Sequence, residues 1–204
     1  MKTRIGIFGG TFNPVHTGHL ITAQDALEIF DLSKILFVPC NLPPHKDGRH
    51  LVSAAHRAAM LEMAIEDNPA FELCDIEIRQ GGTNYSVDTV RQIRNTHRDH
   101  ELFFIIGSDS LLELHQWKDF AELARLCRFV TFIRPGFEVK TGRAWNLQLE
   151  PALRRIIVKD VTAVHQISIS ATDIRHRVAE GMNIHYLVPP SVEMYIAEHN
   201  LYKT

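Results

Sequence analysis

Two histidines three residues apart, His16 and His19, close a stretch that opens on paired glycines: Gly9-Gly10-Thr11-Phe12-Asn13-Pro14-Val15-His16-Thr17-Gly18-His19. An apolar run, Ile5-Gly6-Ile7-Phe8, precedes it, and a helical pattern with Leu20, Ala23, Leu27 and Phe30 on one face follows. Strand, glycine turn and helix in that order aim backbone N–H groups and the positive end of a helix dipole at one spot, where an anion binds well. Paired glycines let a phosphate come close to the backbone. Two imidazoles at this spacing share a face of the helix start, so the chemistry they suit is that of phosphate. The spacing is not the dinucleotide fingerprint G-x-G-x-x-G, because histidines stand where its third glycine belongs. A zinc site would need a third and fourth ligand. His45, His50 and His56 are candidates by residue type, but no cysteine pair or H-E-x-x-H motif accompanies them, so no resident metal is expected.

The elements that must position these residues alternate strand with helix, the pattern of a parallel sheet covered on both faces. Lys34-Ile35-Leu36-Phe37-Val38-Pro39 reads as a second buried strand, ending in the polar Asn41-Leu42-Pro43-Pro44-His45-Lys46-Asp47-Gly48 loop. Ser53 caps a helix with Ala58, Leu61, Ala64 and Ile65 inward, which Asn68-Pro69 stops. Phe71 to Ile78 reads as a strand. After the Gly81-Gly82-Thr83-Asn84-Tyr85 loop, Ser86 caps a helix with Val90 and Ile93 inward, a second cluster of N–H groups. Leu102-Phe103-Phe104-Ile105-Ile106 is the most apolar run and is expected at the sheet centre. It ends in Gly107-Ser108-Asp109-Ser110, where glycine permits close approach of a flat base. From the residues alone Asp109 is either an N-cap or an acceptor for ribose hydroxyls or an adenine amino group. Trp117 is either core or a stacking face beside a polar cleft. Phe129 to Ile133 is a further strand, closed by Arg134-Pro135-Gly136, and Phe137 to about Pro151 reads as a surface excursion. Ile156-Ile157-Val158 and Gln166-Ile167-Ser168-Ile169 read as short strands. Ser170 or Thr172 caps the helix that carries Arg175 one turn in, and a last helix from Pro190 turns Val192, Tyr195 and Ile196 inward.

The chain has 204 residues and a net charge of −2 with histidine neutral. That length suits one large α/β domain with a substantial core. The near-balanced charge, without a basic run, argues against a nucleic-acid partner. The three cysteines, Cys40, Cys74 and Cys127, are scattered through apolar runs and read as reduced core thiols of a cytoplasmic protein. Met1-Lys2-Thr3-Arg4 runs straight into a strand, so no secretory signal is expected, and no apolar run approaches membrane-spanning length. Oligomeric state is left open.

The joint pattern G-G-T-F-N-P-V-H-x-G-H is similar to the H-x-G-H signature of the nucleotidyltransferase superfamily. Many members carry Asp where this chain has Asn13, and no catalytic role is assigned to Asn13. Ser170-Ala171-Thr172-x-Ile174-Arg175 resembles the second superfamily motif, S-x-T-x-x-R, about 150 residues further on. Pro43-Pro44-His45-Lys46, Tyr85-Ser86-Val87-Asp88-Thr89, Gly107-Ser108-Asp109-Ser110-Leu111-Leu112 with Trp117, and the tail to Leu201-Tyr202 each resemble stretches of bacterial nicotinate-nucleotide adenylyltransferases. Only about 137–165 lacks a matching motif.

The resemblance implies a Rossmann-like, doubly wound parallel sheet in a single domain, 1–204, with the S-x-T-x-x-R motif in its last part (about 166–204). It implies adenylyl transfer from ATP to nicotinate mononucleotide, with pyrophosphate leaving and Mg²⁺ carried on the ATP phosphates. Gly9, Gly10, Thr11, Phe12, His16 and His19 would line the phosphates, and Ile106, Gly107 and Asp109 the adenosine. Ser170, Thr172 and Arg175 would hold the β- and γ-phosphates, with His16, His19 and Arg175 catalytic. Trp117 would stack on the pyridine ring, backbone N–H groups near Tyr85 and Ser86 would take its carboxylate, and Lys46 would approach the mononucleotide phosphate. The rival acceptors are nicotinamide mononucleotide and phosphopantetheine. A cytidylyltransferase would carry other signatures after the first motif, and a non-catalytic nucleotide sensor would not need both histidines.

Overall fold

The computed structural model describes residues 3–42, 51–133, 147–162, 165 and 167–203. In chain order the elements are β1 (Arg4–Gly10), α1 (Thr17–Ile29), β2 (Lys34–Pro39), α2 (Ala54–Ile65), β3 (Phe71–Leu73), α3 (Ile76–Gln80), α4 (Ser86–Thr96), β4 (Glu101–Gly107), α5 (Ser108–Glu113), α6 (Phe120–Leu126), β5 (Arg128–Phe132), α7 (Pro151–Ile157), β6 (Val161–Thr162), α8 (Ala171–Ala179) and α9 (Pro190–Glu198). Short 3-10 turns follow α5 and α7.

All six strands are parallel, in the order β3-β2-β1-β4-β5-β6. The chain winds outward from β1 through β2 to β3, returns to the centre at β4, and winds the other way to β6. This is the doubly wound Rossmann-like architecture expected from the sequence. Its faces follow from the period of two along each strand. Phe103 and Ile105 of β4 join Phe37 and Phe132 under α1, α2, α8 and α9. Leu102, Phe104 and Ile106 point the other way, with Ile7 and Phe129, under α4, α5, α6 and α7. Strands buried on both faces must be apolar almost throughout, which is why the run at 102–106 stands out. Phe37 and Phe103 are fully buried; truncating either to alanine costs on the order of 3–5 kcal/mol.

Five local readings need correction. The strand expected over Phe71 to Ile78 stops at Leu73, and Ile76–Gln80 is a helical turn closed by an Asp75–Arg79 ion pair at 2.9 Å. Ile76 and Ile78 alternate with Glu77, which imitates a strand, but Glu77 is the buried residue. Ser86 is the first residue of α4 and Tyr85 its N-cap. Ile156 and Ile157 end α7 rather than forming a strand, and the edge strand is Val161–Thr162. His165 and residues 167–170 carry no strand. Leu147 already lies in the core, so the surface excursion does not extend to Pro151. Arg134-Pro135-Gly136 falls outside the described residues.

Candidate functional site

The sheet reverses its winding between β1 and β4, and ligands bind open α/β sheets at the carboxyl ends of strands at such a point. β1 ends at Gly10 and β4 at Gly107. Their register pairs Phe8 with Ile105, so two turns almost a hundred residues apart in sequence meet side by side. A cleft there is lined by His16, His19, Gly18, Ile106, Gly107 and Phe8 among others.

His16 is the N-cap of α1 and His19 its third residue, and the two rings stack at 3.6 Å with planes 22° apart. Gly18 makes this possible: a Cβ there would sit 3.1 Å from His16 Nδ1. The glycine between the histidines thus gives the His16 ring room to lie along the first turn. The backbone N–H of His16 donates to His19 Nδ1 at 3.2 Å. With Nδ1 accepting, neutral His19 carries its proton on Nε2, the tautomer that can donate to a phosphate oxygen. Phe8 and Phe12 meet the His19 ring at 6.0 and 5.0 Å in edge geometry and fix its plane.

The glycine turn is held from several directions. Phe12 adopts φ 48°, a conformation costly for a bulky residue. Its ring is buried against Phe8 and Phe37, and that packing holds the backbone there. So the Phe12 side chain is a core anchor, and only its backbone belongs to the turn. Gly10 contributes room for that ring: a Cβ would lie 3.0 Å from it. Asn13 is 6% exposed and acts as a hub. Its carbonyl accepts from Arg175 Nη1 at 2.8 Å, and its Oδ1 accepts from the Tyr202 hydroxyl at 3.0 Å and the Val52 N–H at 3.3 Å. Both contacts need only an acceptor at Oδ1, which the asparagine amide oxygen supplies as a carboxylate oxygen would. Arg57, fully buried in α2, donates to the Thr11 carbonyl at 2.9 Å.

Ser170 caps α8 by accepting from the Asp173 N–H at 3.1 Å, and Arg175 Nη2 donates to Thr172 Oγ1 at 3.2 Å. The second motif therefore reaches the first through Arg175, whose burial pulls its pKa below the ordinary value. Asp109 is exposed in the first turn of α5, with Gly107 as the N-cap.

On the opposite flank Tyr85 and Ser86 open α4. Trp117 is half-buried and meets Phe104 edge-on at 5.9 Å, leaving part of its indole outside the core. The next residue, Lys118, lies 4.6 Å over the Tyr85 ring and 3.0 Å from Asp88, bringing the Trp117 turn to the start of α4. The buried Thr89 hydroxyl donates to Glu77 at 2.7 Å, locking α3 to α4 beneath Tyr85. Lys46, His45 and His50 lie outside the described residues. Among the described residues no group of three or more His, Cys, Asp or Glu is placed to hold a metal ion, and no helix is long and apolar enough to cross a membrane.

Sequence reasoning passed over Arg57, Tyr202 and His165. Arg57 had a signal: it lies on the stripe with Leu61 and Ala64, where an arginine is out of place. Tyr202 had none beyond its match in the tail. His165 also lines the cleft, held by Asp25 through its Nδ1 at 2.8 Å and its N–H at 3.2 Å. Nothing in the local pattern pointed to it.

His16 and His19 line the cleft at the switch point, Arg175 binds the adjoining turn, and no cysteine or serine is among the residues described as lining the cleft. That suits displacement at phosphorus between two bound phosphates, the work of an α/β nucleotidyltransferase. The cytidylyltransferase-like family model matches residues 7–177. The probable nicotinate-nucleotide adenylyltransferase of Thermomicrobium roseum is 44% identical over 99% of this chain and 92% of the relative. That of Symbiobacterium thermophilum is 40% identical over 98% and 95%. The Plasmodium falciparum nicotinic acid mononucleotide adenylyltransferase complexed with NaAD superposes with a TM-score of 0.77 at 19% identity, covering 98% of this chain and 97% of that one, and shares the fold. The chain belongs to the nicotinate-nucleotide adenylyltransferase family of cytidylyltransferase-like proteins.

Proposed function

We propose that this protein transfers the adenylyl group of Mg-ATP to nicotinate mononucleotide, giving nicotinate adenine dinucleotide and pyrophosphate, a late step in NAD biosynthesis. The observation that carries the reading is the meeting of two motifs: the stacked His16–His19 pair opens the helix after the glycine turn, and Arg175 binds the Asn13 carbonyl of that same turn.

In this reading the mononucleotide phosphate attacks the α-phosphorus in line. It is already an anion at neutral pH, so it needs neither a strong base nor a covalent enzyme intermediate. The protein's task is positioning and charge stabilisation. The backbone of Gly9 to Phe12 takes the phosphates, and Ile106, Gly107 and Asp109 take the adenosine. His19 donates from Nε2 and His16 lies stacked beside it, both facing oxygens on which charge builds. Ser170, Thr172 and Arg175 hold the departing pyrophosphate, the arginine with forked donors. Magnesium enters as part of the substrate, keeping its waters and the triphosphate oxygens as ligands. Trp117 stacks on the pyridine ring, and the first N–H groups of α4, at Tyr85 and Ser86, take its carboxylate. Lys46 is assigned to the mononucleotide phosphate from its motif alone. The setting is the cytoplasm, in keeping with three cysteines present as thiols.

Pyrophosphate release from Mg-ATP, with nicotinate mononucleotide, nicotinamide mononucleotide and phosphopantetheine offered side by side, tests this reading. A strong preference for the first is expected. Preference for another acceptor keeps the phosphate motifs and overturns the pocket. Release with none, from folded ATP-binding protein, favours a sensor.

A further inference from the structure

Arg57 is an arginine where a helix needs an apolar residue, and its side chain has no exposed surface. Desolvating a guanidinium is costly unless its donors are met. Here they are met by carbonyls: Nε donates to Val52 at 3.2 Å, Nη1 to Cys40 at 2.6 Å and Thr11 at 2.9 Å, and Nη2 to Asn41 at 2.7 Å. No ion pair between Arg57 and a carboxylate occurs among the described residues. The stabilising contacts therefore fall on loop backbone. Thr11 belongs to the glycine turn, while Cys40 and Asn41 are the first residues beyond β2. From Asn41 the connection continues: its Nδ2 donates to the Gly82 carbonyl at 2.9 Å, and Leu42 bridges Thr83. Gly81 and Gly82 both take positive φ, which lets that loop bend back before Tyr85 and Ser86.

We infer that Arg57 is a positioning residue that holds the ATP-phosphate turn and the mononucleotide side of the site in one register. The inference rests on the substrate assignment above. Arg57 touches neither substrate; it acts through the Thr11 carbonyl on one side and through Asn41 and Gly82 on the other. A lysine cannot replace it, because one ammonium is a point donor and the carbonyls are spread around a planar fork.

Two variants test this. Arg57→Lys is expected to fold, to lose about 10- to 100-fold in kcat, as sub-ångström to ångström misplacement does, and to raise KM for both substrates. Asn41→Ala leaves the buried fork in place and cuts only the link to Gly82. It is expected to raise the mononucleotide KM by about 2- to 10-fold, the worth of one hydrogen bond, with the ATP KM unchanged. A purely structural arginine would lower the melting temperature of Arg57→Lys while leaving kcat and both KM values per folded molecule intact, and that result overturns the inference. If Arg57→Lys does not fold, an unchanged mononucleotide KM in Asn41→Ala overturns it instead. Wild-type protein that binds ATP but makes no dinucleotide defeats the substrate assignment separately. The Arg57 claim then stands or falls on ATP affinity, which Arg57→Lys is expected to weaken.

Discussion

Replacing His19 separates two jobs that one ring performs. Its Nδ1 accepts the His16 N–H at 3.2 Å, and its stacked face rests on His16 at 3.6 Å. Its Nε2–H is the donor that the proposed mechanism assigns to the substrate. His19→Ala removes both. The hydrogen bond contributes about 0.5–1.5 kcal/mol and the ring contact about as much again. The fold therefore loses roughly 1–3 kcal/mol, and a chain of this length melts about 2–12 °C lower. The catalytic loss is larger: one donor to developing charge is worth about 10²–10³ in kcat. His19→Asn restores an acceptor near Nδ1 but no reaching donor, so it should regain stability without turnover. His19→Gln reaches with its amide and should regain some turnover with little stability. Steady-state pyrophosphate release at 25 °C, set beside thermal melts of the same samples, reads both axes. Near-native kcat in His19→Ala, or recovery of kcat by Asn rather than Gln, would refute the assignment of Nε2 as the donor.

Trp117→Ala is expected to raise the mononucleotide KM with little change for ATP; equal effects on both in steady-state kinetics would return Trp117 to the core. Arg175→Lys keeps the charge but cannot serve Asn13 and the phosphates together, so kcat should fall about 10²-fold or more while circular dichroism stays native. Glu77 is buried, and desolvation lifts its carboxyl pKa above the usual range, opposed in part by the Thr89 bond. The folded state then binds the proton more tightly than the unfolded chain, so this group's contribution to stability falls as pH rises from below the ordinary carboxylate range through the raised value. Glu77→Gln should therefore melt higher than wild type at neutral pH, by a margin that shrinks as pH drops towards 4; a margin that grows on acidification would contradict this.

The central strands were legible because burial on both faces demands unbroken apolar runs, and β1, β2, β4 and β5 follow them closely. The edges were not. β3 and β6 are short, and at 71–80 a helical turn carries isoleucines at alternate positions. Within the site, the histidine pair and the Ser170–Arg175 helix start could be read because their spacing is local. The contacts that hold the turn could not. Arg57 and Tyr202 reach it from sequence distances at which no periodicity operates, and each uses main-chain or amide oxygen, which any residue or a lone asparagine supplies. Phe12 belongs to the phosphate motif by sequence, but its ring packs in the core and its backbone alone forms part of the turn, a division that residue type does not reveal.

The contacts to Asn13 also set a clock. Its partners Arg175 and Tyr202 lie 162 and 189 residues further along the chain. At 5–20 residues per second, a ribosome takes roughly 10–40 seconds to travel from Asn13 to Tyr202. β1 and β2 can pair early in that interval and β4 joins them about halfway through it, but the glycine turn still waits for its last supports. A chain arrested before its final helices is expected to be inert rather than a slow or promiscuous transferase.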